Sequence, residues 1–392
     1  MALVVFALLL LVMGTAGAAP RIGVVTMQPG EIFFERFGHD AIVVQDPQTG
    51  RAISYNFGFF DPSESDFVPR FIRGEMRYRL VALPFSQDLA IYADNGRGVS
   101  VQWLDLPPDR AQALADALAV NARPENAHYR YDYFLDNCST RVRDAVDVAL
   151  GGELRRQLEG RSHGRTYRSE ATRLASPAPW MWLAFDIGLG PAADRPLSMW
   201  EEAFVPMRLA DALAGARQAD RNPLVEDRQP LLPHRISPEP VESRPQWPLW
   251  ALVGVALGIA AAIGGHRRPR LTAALALPVW SVCALLGALM LFIWFGTGHR
   301  FGWANHNLLL FNPLCVALLP AGWAIARGRR PAHLFDWLLV AVAAAAVLSL
   351  FLHWLPVQPQ RNAHWIALIL PIHLGLALGL FRRTGVAARA EG

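Results

Sequence analysis

Charged residues are scarce in this chain. They make up 18% of its 392 residues, whereas apolar residues make up 53%. A soluble protein normally carries more charge, so the composition argues against a wholly soluble chain and favours membrane spans. The formal net charge of +4 is too small to indicate a nucleic-acid-binding protein, and we expect no nucleic acid partner.

Cysteine is equally scarce, with 3 in the whole chain. Cys283 and Cys315 lie inside long apolar runs, so Cys138 is the only one in a segment of mixed composition. A lone cysteine cannot form a disulfide within its own domain. In an exported domain it indicates a reactive thiol or an intermolecular disulfide. The alternative is a small buried hydrophobic residue, which is common for free cysteine.

The first nineteen residues resemble an export signal. An apolar core spans residues 4–13, and Ala16-Gly17-Ala18 fits the small-x-small pattern of a cleavage site. No lysine or arginine precedes the core, so an uncleaved anchor is the alternative.

Apolar segments dominate the C-terminal part, at residues 248–264, 271–295, 307–326, 335–354 and 364–381. Each approaches the length of about 20 residues that a bilayer crossing needs. Arginine clusters follow the first, third and fifth segments, at residues 266–270, 327–330 and 382–389. Five crossings would place all three clusters on one side, and basic loops stay cytoplasmic. We therefore expect a membrane protein whose N-terminal domain is exported to the side opposite the cytoplasm.

The N-terminal domain is predicted to be α+β. Residues 40–44 and 52–57 read as two strands joined by the turn at residues 46–50, which gives a β-hairpin. The predicted organisation is a signal peptide at 1–19, an exported thiol domain at 20–222, a proline-rich linker at 223–247 and five transmembrane helices at 248–392.

Cys138 is predicted to stand at the start of a helix. Asp136-Asn137 is a good capping pair, and the small polar residues Ser139 and Thr140 suit a first turn. The dipole of such a helix favours a thiolate, and its free backbone N–H groups can stabilise an oxyanion. Asn137 and Arg141, which flank the thiol, are assigned to substrate binding.

His39 is the candidate base for this thiol. It follows Gly38 and opens the first strand of the hairpin, where it could reach a helix start at the sheet edge. Thiol acyl transfer needs a nucleophile and a base, and a third group to orient the imidazole. Asn56 or Tyr55 on the partner strand could supply that group; we choose Asn56 and assign Tyr55 to substrate binding. The alternative is a histidine with a purely structural role.

Two polar loops between the spans face the same side as the N-terminal domain. They lie at residues 296–306 and 355–363 and contain His299 and Asn305. These loops either prefer water at the interface, with tryptophans in the aromatic belt, or help to line a site. We assign His299 and Asn305 to substrate binding.

Four stretches of the chain resemble the Lnb-type lipoprotein N-acyltransferase family. They are GHDAIVV, SYNFGFF, YDYFLDNCSTRVRD and, in the membrane half, NHNLLLFNPL. The resemblance implies a permuted papain-like domain, in which the histidine precedes the cysteine, followed by a helical membrane domain. It matches Cys138 to the family's catalytic thiol and His39 to its base. His299 and Asn305 match polar positions of the membrane half.

The resemblance also implies a location in the bacterial inner membrane, with the N-terminal domain in the periplasm, and a reaction. Cys138 would take an acyl chain from a phospholipid as a thioester and pass it to the N-terminal amine of a bacterial lipoprotein, without a cofactor or metal. A membrane-anchored cysteine peptidase or amidase would use the same cysteine and histidine, although five spans exceed what an anchor requires. A non-enzymatic membrane scaffold with a periplasmic binding domain is a further alternative, and a transporter a weaker one.

Overall fold

The computed structural model describes residues 18–242, 245–355 and 358–381. The predicted export signal lies outside the described residues except for its last two positions, and so does the basic cluster that begins at Arg382. By their contacts the described residues form two compact units. The first contains residues 18–71, 75–165 and 196–240, and the second contains residues 72–74, 166–195 and 241–381.

A seven-stranded antiparallel sheet organises the first unit. Its strands are β1 (Arg21–Met27), β2 (His39–Gln45), β3 (Ala52–Phe59), β4 (Arg77–Pro84), β5 (Val99–Leu104), β6 (His128–Arg130) and β7 (Val225–Leu232), in the spatial order β6-β4-β3-β2-β1-β5-β7. The predicted hairpin is β2–β3, with Ala41 opposite Asn56.

Helices alternate with these strands along the chain. They are α1 (Phe67–Arg73), α2 (Phe85–Asp94), α3 (Pro108–Asn121), α4 (Cys138–Ala149), α5 (Glu153–Leu158), α8 (Met199–Glu202) and α9 (Pro206–Gly215). Two further helices between α5 and α8, namely α6 (Tyr167–Ala175) and α7 (Pro179–Gly188), belong to the second unit. The predicted periplasmic domain, residues 20–222, includes this pair.

Helices cover both faces of the central strands. Val24 and Ile42 join a core with residues of α3, α4 and α9. Val25 and Val43 point to the other face, where they pack with Phe85 and Leu89 of α2. Because successive residues of a strand point to opposite faces, β1 and β2 are apolar at almost every position. Burial on both faces fixes the register of the strands that carry the site.

The predicted linker at residues 223–247 is partly a strand. β7 pairs with β5 at the end of the spatial order, and Pro230 lies opposite Ser100, where the register shifts. Proline cannot donate to a ladder and is therefore tolerated at sheet edges and bulges. The proline content that indicated a linker is thus compatible with an edge strand.

The second unit contains the apolar helices α10 (Trp247–Arg267), α11 (Pro269–Gly296), α12 (Cys315–Ala326), α13 (Leu334–Trp354) and α14 (Ala363–Leu380). Among the described residues, 4 helices are long and apolar enough to cross a membrane, namely α10, α11, α13 and α14. α12 has 12 residues, about 18 Å, against a hydrocarbon core of about 30 Å. The fifth crossing stays a prediction.

Close backbone contact joins α10 to α14. A Cβ on Gly258 would collide with the carbonyl oxygen of Pro371, and a Cβ on Gly375 would collide with that of Gly258. Small residues at such crossings let membrane helices approach closely, and packing of this kind holds helices together in lipid. The fold is therefore α+β as predicted, with an N-terminal antiparallel sheet and a C-terminal helical region. The permuted papain-like fold stays a prediction.

Candidate active site

Cys138 is the first residue of α4, and Asn137 is its N-cap. Asn137 Oδ1 accepts from the backbone N–H of Thr140 at 2.9 Å, and Thr140 Oγ1 accepts from that of Asn137 at 2.8 Å. Asn137 Nδ2 also donates to the carbonyls of Tyr133 and Phe204. These bonds fix the start of α4, and with it the thiol. They also occupy the side chain that we predicted to bind substrate.

The start of α4 is held against the start of β2. Ser139 Oγ donates to Asp40 Oδ2 at 2.8 Å, and Thr26 Oγ1 donates to Asp40 Oδ1 at 2.9 Å. Asp40 is fully buried, and burial raises its pKa to about 7 against the opposing effect of these two hydrogen bonds. The residue after His39 is thereby tied to the residue after Cys138.

His39 is oriented by a chain of polar groups. Its Nε2 donates to Asn56 Oδ1 at 3.1 Å, and Asn56 Nδ2 donates to Asp88 Oδ2 at 3.0 Å. A carboxylate only accepts, so Asp88 fixes which end of the Asn56 amide faces the imidazole. An amide oxygen only accepts, so the proton sits on Nε2 and His39 Nδ1 is left as the basic nitrogen.

Both reactive groups are neutral at rest. Burial, with a smaller effect from the Arg97 charge, lowers the pKa of His39 to about 4 against the opposing effects of Asp88 and Asn56. Burial and then the Asp40 charge raise the pKa of Cys138 to about 12, although backbone N–H groups at the helix start oppose this. The helix start favours a thiolate as expected, but desolvation outweighs this effect, so the resting group is a thiol.

The thiol lies where β2 begins and β3 ends. Its sulfur faces the backbone N–H of Asp40. Gly58 of β3 lies against it, since a Cβ on Gly58 would be 3.6 Å from the Cβ of Cys138. Gly58 has φ +88° beside a break in the β3–β4 register. No hydrogen bond joins His39 to Cys138 among the described contacts. The two residues are linked through their chain neighbours, by the hydrogen bond from Ser139 to Asp40.

Aromatic rings and a paired arginine border this thiol. The Arg141 guanidinium binds Asp136 through two hydrogen bonds and stacks 3.9 Å from the centroid of the Tyr129 ring. Tyr129 and Tyr131 lie near Gly58 on the same side as the thiol. Tyr55 instead points into the core below the sheet and is 9% exposed.

The remaining predicted site residues lie in the second unit. Asn305 is buried; its Nδ2 donates to the Ile187 carbonyl at 2.7 Å and its Oδ1 accepts from Gln360 Nε2 at 2.9 Å. His299 precedes a short 3-10 turn, and its backbone N–H donates to Thr297 Oγ1. Asn305 therefore ties α7 to the loops between the apolar helices.

Sequence reasoning missed Asp88 and Arg97, which both influence His39. Asp88 occupies the first turn of α2, where an acidic residue is ordinary and carries no signal. Arg97 lies in the turn between α2 and β5 and resembles any polar turn residue. Only the packing of α2 across the β1–β2 face brings them to the site.

One group in the described residues could hold a metal ion. Cys283, Cys315 and His373 of the second unit offer ligand atoms that lie within 4.8 Å of one another. His373 Nε2 donates to the Leu310 carbonyl at 2.8 Å, an orienting contact that metal-binding histidines commonly make. Two sulfurs and an imidazole would suit zinc or copper(I).

Two family models match the chain. Residues 18–171 match the Lnb N-terminal periplasmic domain, and residues 243–384 match the Lnb transmembrane domain. The first match contains His39, Asn56 and Cys138, and the second contains the apolar helices α10–α14. No curated protein and no solved structure matches the chain significantly.

Proposed function

Because the chain belongs to the Lnb family, we propose that it is a thiol-dependent acyltransferase that modifies lipoproteins at the periplasmic face of the bacterial inner membrane. It is a membrane protein with a periplasmic N-terminal domain. The observation that carries the proposal is a thiol fixed at a helix start, where the Ser139–Asp40 hydrogen bond ties it to the strand of His39, whose tautomer is set by Asn56 and Asp88.

The first half-reaction forms a thioester. His39 Nδ1 takes the proton of Cys138 as the sulfur attacks an ester carbonyl of a phospholipid. Since both groups are neutral at rest, proton transfer accompanies attack rather than preceding it. The backbone N–H groups at the start of α4 and of Asp40 stabilise the oxyanion. When the tetrahedral intermediate collapses, the C–O bond breaks and His39 returns the proton to the leaving oxygen, which departs as the hydroxyl of the lysophospholipid.

The second half-reaction forms an amide. The neutral α-amine of a diacylglyceryl-cysteine attacks the thioester, His39 takes a proton from the amine, and the C–S bond breaks. The sulfur leaves as the thiol by recovering that proton, so the enzyme ends as it began. The phospholipid donor is consistent with the apolar helices, whereas the lipoprotein acceptor follows from family membership alone.

Mass spectrometry of the intact protein tests the thioester. Incubation with phospholipid should add one acyl chain to Cys138, which neutral hydroxylamine should remove and a lipopeptide with a free N-terminal amine should accept. Cys138→Ala should show no adduct. If peptide bonds are cut and no lipid adduct forms, the chain is a membrane-anchored peptidase or amidase. Full complementation of growth by Cys138→Ala would favour a scaffold.

A further inference from the structure

Arg97 is a buried cation that the reaction described above does not use. Its side chain is 4% exposed, and its Nε donates to the Gln28 carbonyl at 2.8 Å. The guanidinium stacks over Tyr92, 4.8 Å from the ring centroid. Tyr92 lies one helical turn after Asp88 on α2, so one face of this helix positions both Arg97 and the Asn56–His39 pair.

The hydrogen bonds of Arg97 are incomplete. Nη1 lies 3.6 Å from a carboxylate oxygen of Glu35, which is longer than a normal hydrogen bond. Nη2 is buried and has no hydrogen-bond partner among the described residues. Buried guanidinium groups are normally paired, and Arg keeps its charge in any protein environment. Arg97 has an ion pair with Glu35, but the unused donor on Nη2 suits a ligand oxygen, and the positive charge of the guanidinium favours an anionic one.

Arg97 is also near the chemistry. Gln28 follows Met27, the residue of β1 that lies between His39 of β2 and Val99 of β5. The guanidinium is close enough to both His39 and Cys138 to interact electrostatically with each. Neither carries charge at rest, so neither neutralises Arg97; Glu35 pairs with Nη1, and Nη2 keeps a donor without an acceptor among the described residues.

We propose that Arg97 binds the phosphate of the phospholipid donor and so selects phosphodiester lipids over neutral glycerides. The inference rests on the proposed acyl transfer from phospholipid. A planar guanidinium suits a phosphodiester because it can offer parallel N–H donors, and the desolvated setting strengthens such a pair. The phosphate lies a few bonds from the reacting ester, so this contact would also hold the carbonyl near Cys138.

Acylation of Cys138 by matched donors tests this. The acyl-enzyme would be measured by mass spectrometry with a phosphatidylglycerol, a diacylglycerol and a p-nitrophenyl ester that carry the same acyl chain. Arg97→Gln should slow acylation by the phospholipid about 10- to 100-fold, as expected for loss of a charged hydrogen bond. It should change the rates with the two neutral donors by less than about threefold. Arg156→Gln removes an exposed arginine that pairs with Glu153 and should change none of the rates.

Equal slowing with all donors would overturn the proposal, because Arg97 would then act on the thiolate or oxyanion. No acyl-enzyme with any donor in the unmodified protein would instead overturn the acyltransferase function itself. Arg97→Gln must also keep the unmodified protein's gel-filtration profile. If it does not, the unmodified protein still decides: glycerol 3-phosphate should slow iodoacetamide labelling of Cys138 and glycerol should not. Equal labelling with both would contradict a phosphate site.

Discussion

His39 and Asn56 face each other on neighbouring strands, with Nε2 and Oδ1 3.1 Å apart. The contact decides the tautomer of the imidazole, and Asp88 decides the orientation of the Asn56 amide. A carboxylate on α2 thus sets, through one amide, which nitrogen of His39 can act as base. A substitution of Asn56 should therefore disorient the base, whereas a substitution of His39 removes it.

Asn56→Ala should lower the rate of Cys138 acylation about 10- to 100-fold, because His39 loses the partner that fixes its tautomer. His39→Ala should cost more, about 10²- to 10⁴-fold, since it removes the base itself. Single-turnover acylation followed by mass spectrometry measures both. Ser54→Ala is the control, because Ser54 accepts from Asn56 Nδ2 but does not contact the imidazole. If Asn56→Ala and Ser54→Ala acylate at the same rate, Asn56 does not orient His39 for catalysis.

The pH profile of acylation should have no limb near 6.5, the ordinary pKa of histidine. The pKa of His39 is lowered to about 4, so the base stays neutral and the rate stays level until the pH approaches 4. Stability, unlike the rate, should change in this range, because His39 takes up a proton more readily in the unfolded chain than in the folded one. Its contribution to the free energy of unfolding is fully present above pH 6.5 and is lost between 6.5 and 4. Thermal unfolding of the unmodified protein and His39→Gln should diverge in that window. A rate that halves near pH 6.5 would contradict the lowered pKa of His39.

Part of the site could be predicted from the sequence. The β2–β3 hairpin follows from alternation and turn residues, and its register alone places Asn56 within two residues of the His39 position. The helix start at Cys138 follows from the capping residues before it. Asp88 and Arg97 could not be found, because their roles depend on α2 packing across strands distant in sequence. The neutral state of the thiol could not be predicted either, since desolvation is a property of the packed domain and not of the local helix.

The fold shows the same division. Composition identified the membrane half and the mixed N-terminal part. It could not indicate that residues 166–195 pack with the apolar helices, because Arg168, Asp186 and Asp194 make this stretch look like part of a soluble domain. All three side chains are buried inside the second unit, where Arg168 pairs with Asp194 and Asp186 accepts hydrogen bonds from His364 and Trp365.

Asp40→Asn should make Cys138 more reactive toward iodoacetamide. The Asp40 charge is the second cause, after burial, of the raised pKa of the thiol, so a neutral side chain should increase the thiolate fraction. At pH 8 the unmodified thiol should react at least about 100-fold more slowly than free cysteine, whose pKa is about 8.5. Cys138→Ala provides the background from Cys283 and Cys315, which are buried. Unchanged labelling in Asp40→Asn would show that the Asp40 charge does not raise the pKa of the Cys138 thiol.

The same variant should be more stable above pH 7. The pKa of Asp40 is raised to about 7 from an ordinary 3.8, so the folded state holds this proton more tightly than the unfolded state. Its contribution to stability is present below pH 3.8 and is lost as the pH rises through 7. Thermal unfolding at pH 5 and pH 8 should show a gain for Asp40→Asn that is larger at pH 8. A larger gain in stability at pH 5 than at pH 8 would contradict the raised pKa of Asp40.

Gly58→Ala should impair acylation beyond its effect on stability. Both Gly58 and Gly50 have positive φ, +88° and +69°, but a Cβ on Gly50 would meet nothing within 4 Å. Each alanine should cost about 1 to 2 kcal/mol of unfolding free energy through backbone strain. Only Gly58→Ala should also slow acylation, because its methyl group lies against Cys138. Equal acylation rates in the two variants would show that the thiol does not depend on this strand end.

The second unit should depend strongly on the pair Arg168–Asp194. The Arg168 side chain is 3% exposed and that of Asp194 is fully buried, with Nε 2.9 Å from Oδ2. Arg168 also donates to the carbonyls of Asp186 and Leu189. Arg168→Met would leave the buried Asp194 carboxylate without its charged partner, with the Arg361 N–H still donating to it, which should cost about 3 to 5 kcal/mol. Arg168→Met combined with Asp194→Leu should recover part of this loss, since no charge stays buried alone. Thermal unfolding in detergent measures both, and a single variant as stable as the double would show that the pair contributes little to this unit.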